Sequence, residues 1–158
     1  MPSTRPINLD KWGITWEEYK ELSYFCLQYA RKKRDAAALL TLKTSTPAPV
    51  TYHKGGKEYG AFLPHAKGAT GDPTAATAAK REHLLNDVRM IEQAAMLAGK
   101  LADGHDICGA LLRAVTTRGG VQAAMANTET RPPCGKNEFY AARRKFFWIL
   151  REMKNAGN

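Results

Sequence analysis

The sequence predicts an all-α protein of four to five helices, with a long Gly/Pro-rich loop and a C-terminal unit resembling a helix-turn-helix. Apolar residues recur at helical spacing over most of the chain, whereas prolines and glycines concentrate in residues 44–71. Hydrophobic residues make up 44% of the 158 residues, which is enough for a packed core. We divide the chain into an N-terminal arm and helix (1–43), the loop or a small hairpin (44–71) and a helical domain (72–158).

The N-terminal region is predicted to open with an arm over residues 1–14, where prolines and Gly13 interrupt regular structure. The first helix is expected to start at Thr15, because its hydroxyl and the Glu18 carboxylate three residues later have the form of a capping box. The apolar pattern lets this helix continue to about Leu42.

The segment 44–71 is predicted to be a loop, because glycine and proline disfavour a helix there. Val50–Tyr52 and Tyr59–Leu63 flank Lys54–Lys57, so a short hairpin is an option. A loop of this length inside a compact domain is often functional.

The helical domain is predicted to begin at Asp72-Pro73, where a capping Asp precedes a proline at the first helical position. An apolar series then repeats with a period of about 3.5 residues; its members are Leu84, Val88, Ile91, Ala95, Ala98 and Ala102. This helix, over residues 73–103, is expected either to pack in the core of its own chain or to form a homodimer.

Three further helices have the outline of a helix-turn-helix, with a short middle helix and a longer basic last one. Their predicted ranges are Ile107–Thr117, Gly120–Ala126 and Lys136–Lys154. The connection Asn127–Gly135 contains Pro132-Pro133 and is longer than a tight helix-turn-helix corner.

The last helix is predicted to pack through an apolar stripe made by Phe139, Phe146, Leu150 and Met153. Arg143 lies near the edge of this stripe, and its guanidinium is expected to reach outward while its stem packs. Such a basic amphipathic helix is either a DNA-contacting helix or a solvated surface helix.

The formal net charge is +9 and lies mainly at the two ends of the chain. Residues 1–71 carry 11 Lys+Arg against 6 Asp+Glu, and residues 131–158 carry 7 against 2, so each end contributes +5. Residues 72–106 carry 4 against 6, a net −2. This asymmetry suits an anionic partner engaged by the ends of the chain.

Several classes of protein are disfavoured by the sequence. No stretch approaches the roughly 18 apolar residues of a membrane span, and the N-terminus lacks a signal-peptide pattern, so a cytoplasmic protein without membrane contact is expected. The four histidines and three cysteines lack zinc-ligand spacing, and Lys54–Lys57 is not a phosphate-binding loop. We therefore predict no enzyme activity, cofactor or metal.

Cys134 precedes a helix N-terminus, which would lower its thiol pKa.

Five blocks of the chain resemble small prophage-encoded proteins of Gram-positive bacteria: residues 24–29, 71–75, 87–95, 111–117 and 133–147. The last block, with its Phe-Tyr-x-x-Arg-Arg sequence, is also similar to phage late-gene transcription regulators of the RinA and ArpU type. The resemblance implies a sigma-region-4-like helix-turn-helix that contacts duplex DNA. By position, the DNA-facing residues would be Lys136, Asn137, Tyr140, Arg143, Arg144 and Lys145.

The predicted DNA surface also includes Arg151. A second basic run is expected either to add phosphate contacts or to form a solvated basic face; its members are Arg31, Lys32, Lys33 and Arg34. The leading hypothesis is a phage or prophage transcription regulator in the cytoplasm of a bacterial host, with host RNA polymerase or another host protein as a further partner. One alternative is a DNA-packaging component of the small-terminase kind. Another is a protein-interaction module that inhibits a host defence complex.

Overall fold

A computed structural model of the protein describes residues 10–41, 50–54, 57–61, 73–126, 128–129 and 131–157. Within these ranges the chain is mostly helical, as predicted. A short 3-10 helix at Asp10–Trp12 precedes six α-helices, and a two-stranded antiparallel sheet lies between the second and third of them. The α-helices are α1 (Trp16–Leu27), α2 (Tyr29–Thr41), α3 (Pro73–Gly99), α4 (Cys108–Thr116), α5 (Gly120–Ala126) and α6 (Lys136–Ala156).

The capping box at the start of α1 is confirmed. The Thr15 hydroxyl accepts a hydrogen bond from the Glu18 N–H at 3.2 Å, and the Glu18 carboxylate accepts one from the Thr15 N–H at 2.8 Å. The prediction of one helix up to Leu42 is wrong, because the chain forms two helices that meet at Gln28. The two have different partners: α1 packs against α4 and α6, whereas α2 packs along α3.

The hairpin option for the Gly/Pro-rich segment is the one that the structure adopts in its described part. Strand β1 (Val50–Lys54) pairs antiparallel with β2 (Lys57–Ala61), with Val50 opposite Ala61 and Lys54 opposite Lys57. The remaining residues of the predicted 44–71 loop, and the predicted cap Asp72, lie outside the described residues.

Helix α3 buries its apolar series within its own chain. Val88, Ile91, Ala95 and Ala98 are all buried, and α3 packs on α2, α4 and α6. The prediction that this helix extends to residue 103 is wrong, because the helix ends at Gly99 and Ala102 lies beyond it. At Gly99 the chain turns back closely: a Cβ there would lie 2.7 Å from the backbone of Cys108, and the Gly99 carbonyl accepts the Ile107 N–H.

Helix α6 is the central element of the core. Its buried residues are Phe139, Ala142, Phe146, Phe147, Ile149 and Leu150. It packs mainly along α3, with smaller contacts to α1 and α4, while α5 packs on α4. Because these apolar residues follow helical spacing, they fix which side of α6 faces solvent.

Candidate nucleic-acid interface

The first turns of α6 are the most exposed part of the predicted DNA surface. Lys136 and Asn137 are exposed and open the helix, where the first backbone N–H groups have no partner within the helix. The Glu138 carboxylate accepts the Gly135 N–H at 3.3 Å and holds the helix start. This helix terminus offers hydrogen-bond donors and a cation to an anion.

Three predicted residues share one flank of α6. Lys136, Tyr140 and Arg144 follow each other at four-residue steps, so they lie on one side of the helix, with Asn137 beside them. Tyr140 and Arg144 are partly exposed. We call Lys136, Asn137, Tyr140 and Arg144 the α6 flank.

Lys145 is exposed but lies on another side of α6, in a shallow groove of about 270 Å³. The groove is lined by Trp12, Leu101 and Ala141, among others, and also by Glu138. The nearby carboxylate offsets part of the Lys145 charge, so this side of the helix attracts phosphate less than the α6 flank does.

The prediction that the Arg143 guanidinium reaches outward is wrong. One of its Nη atoms donates to the Tyr19 hydroxyl at 2.9 Å, and its guanidinium lies over the Tyr19 and Phe147 rings at 5.9 and 5.5 Å. It forms no ion pair among the described residues, and its Nε is buried without a hydrogen bond there. The side chain points inward because it borders the apolar stripe that packs under α1.

Arg151 also has intramolecular partners. Its guanidinium donates to the Gly13 carbonyl and pairs with Glu152 at 2.9 Å. Together with the Trp12 ring, which packs on Trp148 at 5.8 Å, this contact fastens the segment before α1 onto α6. Arg151 therefore stabilises the fold, and binding a phosphate would compete with these contacts.

The second basic run, Arg31–Arg34, also contains both paired and exposed cations. Lys32 forms an ion pair with Asp87 at 2.5 Å and is largely buried, and Lys33 reaches Glu92 at 3.4 Å. Arg31 and Arg34 are exposed. Helical geometry turns successive residues by about 100°, so four consecutive cations cannot all face one partner.

Sequence reasoning missed a row of exposed residues on α1. Trp16 is 52% exposed and Tyr24 is 65% exposed, with the exposed Lys20 between them. The signal was present in the four-residue steps from Trp16 to Tyr24, on the opposite side of the helix from the apolar stripe through Leu22 and Cys26.

The thiols are not activated. The prediction of a lowered pKa at Cys134 is wrong, because desolvation raises it, and Glu138 and Asp103 add to the rise. Burial likewise raises the pKa of Cys108 and takes that of Cys26 to about 12. Helix α6 begins two residues after Cys134, and its N-terminal dipole does not compensate for this burial.

Comparison with known proteins gives no match: no protein-family model, curated protein or solved structure is similar to this chain. In the described part of the chain, no helix is long and apolar enough to cross a membrane. The same residues contain no cluster of His, Cys, Asp or Glu that could hold a metal ion. The function is therefore inferred from the residues and geometry of the chain itself.

Proposed function

We propose that the protein binds duplex DNA through the α6 flank and acts as a phage or prophage transcription regulator. The observation that supports this most is the division of α6 into two sides. One side is fixed in the core by Phe139, Phe146 and Leu150, which are fully buried. The α6 flank presents two cations, an amide and a phenol to solvent on this rigid support.

The chemistry of the α6 flank suits recognition of DNA. An Asn side chain can pair with the N6 and N7 edge of adenine, and Lys136 or Arg144 can address guanine or phosphate. The free N–H groups of the first turn provide a seat for a phosphate. The α6 flank therefore combines groups that position a duplex with a group that can read a base.

In this proposal α4, α5 and α6 act as a helix-turn-helix-like unit with α6 as the recognition helix. Helix α4 packs on both α5 and α6, which gives the unit a common support. The connection over residues 127–135 is longer than the tight turn of a helix-turn-helix. Helix α5 packs mainly on α4. We expect α6 to dock by its N-terminal end, where the exposed residues lie.

The test compares two variants that remove the same charge. Lys136→Ala/Asn137→Ala/Arg144→Ala removes two cations from the α6 flank, and Lys11→Ala/Lys80→Ala removes two exposed cations elsewhere. Binding of labelled mixed-sequence duplex DNA is measured by fluorescence anisotropy over a salt series. The flank variant is expected to lose affinity and about two units of salt slope, at roughly 0.9 per phosphate contact.

Equal loss in both variants would show that only net charge matters and would overturn the α6 flank as the interface. Absence of duplex binding by the unmodified protein at low salt would overturn the DNA-binding function itself. Lys145→Ala, on the other side of α6, is expected to change affinity less than Arg144→Ala.

Self-association through α3 is a second proposed property. Its apolar series is used within the chain, but Met96 and Leu97 are 53% and 51% exposed on another side of the helix. Exposed apolar side chains outside the core can contribute to an interface with a second copy. Light scattering would test it: Met96→Glu/Leu97→Glu should convert a dimer, or the ring expected of a small-terminase-like protein, into a monomer. A monomeric unmodified protein would overturn it.

A further inference from the structure

A row of exposed aromatic and basic side chains runs along the solvent side of α1 and α2. The members are Trp16, Lys20, Tyr24, Leu27, Arg31 and Arg34, and we call them the α1–α2 row. Steps of four, four and three residues keep the first four on one side of α1, and the three-residue step from Arg31 to Arg34 keeps these two on one side of α2.

The row continues across the junction of the two helices. Gln28 has right-handed helical backbone angles, φ −81° and ψ −7°, and its carbonyl accepts the Lys32 N–H at 2.9 Å. The backbone therefore keeps its right-handed turn through Gln28, and Arg31 and Arg34 follow Tyr24 and Leu27 along the chain. At 1.5 Å per residue the helical segments from Trp16 to Arg34 cover about 27 Å, which is long enough for a short single strand whose bases are unstacked from one another.

The Trp16 indole is held firmly although half of it is exposed. It stacks on the Tyr19 ring at 5.4 Å and 29°, and Tyr19 meets Phe147 edge-on at 5.0 Å. Phe147 in turn packs on Phe146 in the core at 5.1 Å, and Arg143 donates to the Tyr19 hydroxyl. Three rings thus connect the surface indole to the core, so little conformational entropy remains to be lost when a flat ligand stacks on it.

Cations lie between and beyond the aromatic rings. The Lys20 ammonium is 5.3 Å from the centroid of the Trp16 ring, and Arg31 and Arg34 follow Tyr24 toward the C-terminal end of the row. Aromatic rings that accept stacked bases, interleaved with cations that track phosphates, form the usual surface for a single nucleic-acid strand. A duplex cannot use such rings, because its bases are already stacked on each other.

We infer that the α1–α2 row binds a single-stranded nucleic acid, with bases stacked on Trp16 and Tyr24 and phosphates held by Lys20, Arg31 and Arg34. This surface is separate from the α6 flank and does not depend on it. A protein with both surfaces could hold a duplex on α6 and a locally opened strand on α1 and α2.

The two edges of the α1–α2 row differ in charge, which predicts the edge along which the phosphates of a bound strand run. Glu17, Glu21 and Asp35 are exposed along one edge of the row, whereas Ser23, Ala30 and Ala37 follow the other edge. Phosphates would be repelled from the acidic edge and would run along the neutral one. Removing a carboxylate from the acidic edge should therefore strengthen binding.

The experiment measures anisotropy of labelled 20-nucleotide oligo(dT) and oligo(U) with the full chain. Trp16→Ala and Tyr24→Ala are each expected to weaken binding by roughly 5- to 100-fold. Trp16→Phe, which keeps a ring, should retain most of the affinity, and Glu21→Gln should raise it about twofold or more. The two oligonucleotides distinguish a DNA strand from an RNA strand.

Controls separate this inference from duplex binding. Leu40→Ala, at a residue 67% exposed on α2 outside the row, should leave binding unchanged, and thermal melting verifies that each variant is folded. The α6 flank variant should keep its affinity for the single strand, and Trp16→Ala/Tyr24→Ala should keep its affinity for the duplex. Unchanged single-strand binding in that double variant, or no binding by the unmodified protein, would overturn the inference whatever the duplex experiment gives.

Discussion

The basic runs of α2 and α6 look alike in the sequence and differ in the structure. Arg31–Arg34 and Arg143–Lys145 are both uninterrupted runs of cations, and each turns one cation inward. In α2 the inward Lys32 meets the Asp87 carboxylate, whereas in α6 the inward Arg143 meets the Tyr19 hydroxyl and two aromatic rings. A run of cations on a helix is therefore partly structural, and only its outward members are available to a partner.

The two helices are also anchored differently. Helix α6 buries three phenylalanine side chains, Phe139, Phe146 and Phe147. Among residues 29–40 of α2, whose side chains the structure describes, the buried residue is Ala36, and polar contacts with α3 add to it. We expect α6 to be sensitive to loss of apolar volume and α2 to be sensitive to loss of its polar partners.

The largest expected effect is on the apolar anchor of α6. Phe146→Ala should lower the free energy of unfolding by about 3–5 kcal/mol, because it removes a fully buried ring and leaves a cavity. Urea unfolding followed by circular dichroism measures it. Leu40→Ala in the exposed part of α2 is the matched control and should change stability by less than about 0.5 kcal/mol. If Phe146→Ala lowered the free energy of unfolding by less than about 1 kcal/mol, the central position of α6 in the core would be contradicted.

The pKa of Cys26 depends on its burial and on cations from both α2 and α6. Lys154 and Arg143 from α6 and Lys32 from α2 favour its thiolate, but burial outweighs them and raises its pKa from 9.0 to about 12. The stability linked to this thiol is fully present below pH 9. Between pH 9 and 12 the thiol ionises in the unfolded chain and not in the folded one, so stability should fall by about 1.4 kcal/mol per pH unit.

The measurement compares urea unfolding of the unmodified chain and of Cys26→Ala from pH 8 to pH 11. Other titrating groups contribute to both proteins, so the difference between the two curves isolates Cys26. The gap should change steadily above pH 9 and stay constant below it. Parallel curves throughout would mean that the cations lie closer to the thiol, or that it is less buried, than the structure indicates.

The polar anchor of α2 gives a smaller effect. Lys32→Met keeps an unbranched side chain of similar size but removes the ammonium, which lies 4.2 Å from the centroid of the Phe25 ring, and leaves the Asp87 carboxylate largely buried without its partner. The free energy of unfolding should fall by about 1.5–3 kcal/mol. Lys32→Met/Asp87→Leu should recover most of this loss, because an apolar pair can replace a buried ion pair. If the double variant is as unstable as the single one, the loss does not come from the unpaired Asp87 carboxylate.

Much of the fold follows from local sequence signals. The Thr15–Glu18 box fixes the start of α1, and Gly119-Gly120 and Pro132-Pro133 separate α4, α5 and α6 near their predicted limits. The junction at Gln28 could not be predicted, because no glycine or proline marks it. It lies where the packing partners change from α4 and α6 to α3, and that is a property of the tertiary structure.

The candidate sites follow from the sequence to a lesser extent. Helical spacing alone places Arg143 beside the stripe of Phe139, Phe146 and Leu150, so its inward position was within reach of the sequence. Its partner Tyr19 is 124 residues away, and Arg151 reaches the carbonyl of Gly13 over 138 residues. Contacts between such distant positions leave no local signal, so the partners of these two arginines could not be predicted.

The smallest expected effect concerns the outward cations of α2. Arg31→Ala and Arg34→Ala should each change the free energy of unfolding by less than about 0.5 kcal/mol, because both side chains are exposed. If they contact phosphates of a single strand, each substitution should lower the slope of log affinity against log salt by about 0.7. An unchanged slope with unchanged stability would instead identify a solvated basic surface. Measured beside Lys32→Met, these variants separate the two kinds of cation in one helix: the inward one governs stability, and the outward ones govern binding.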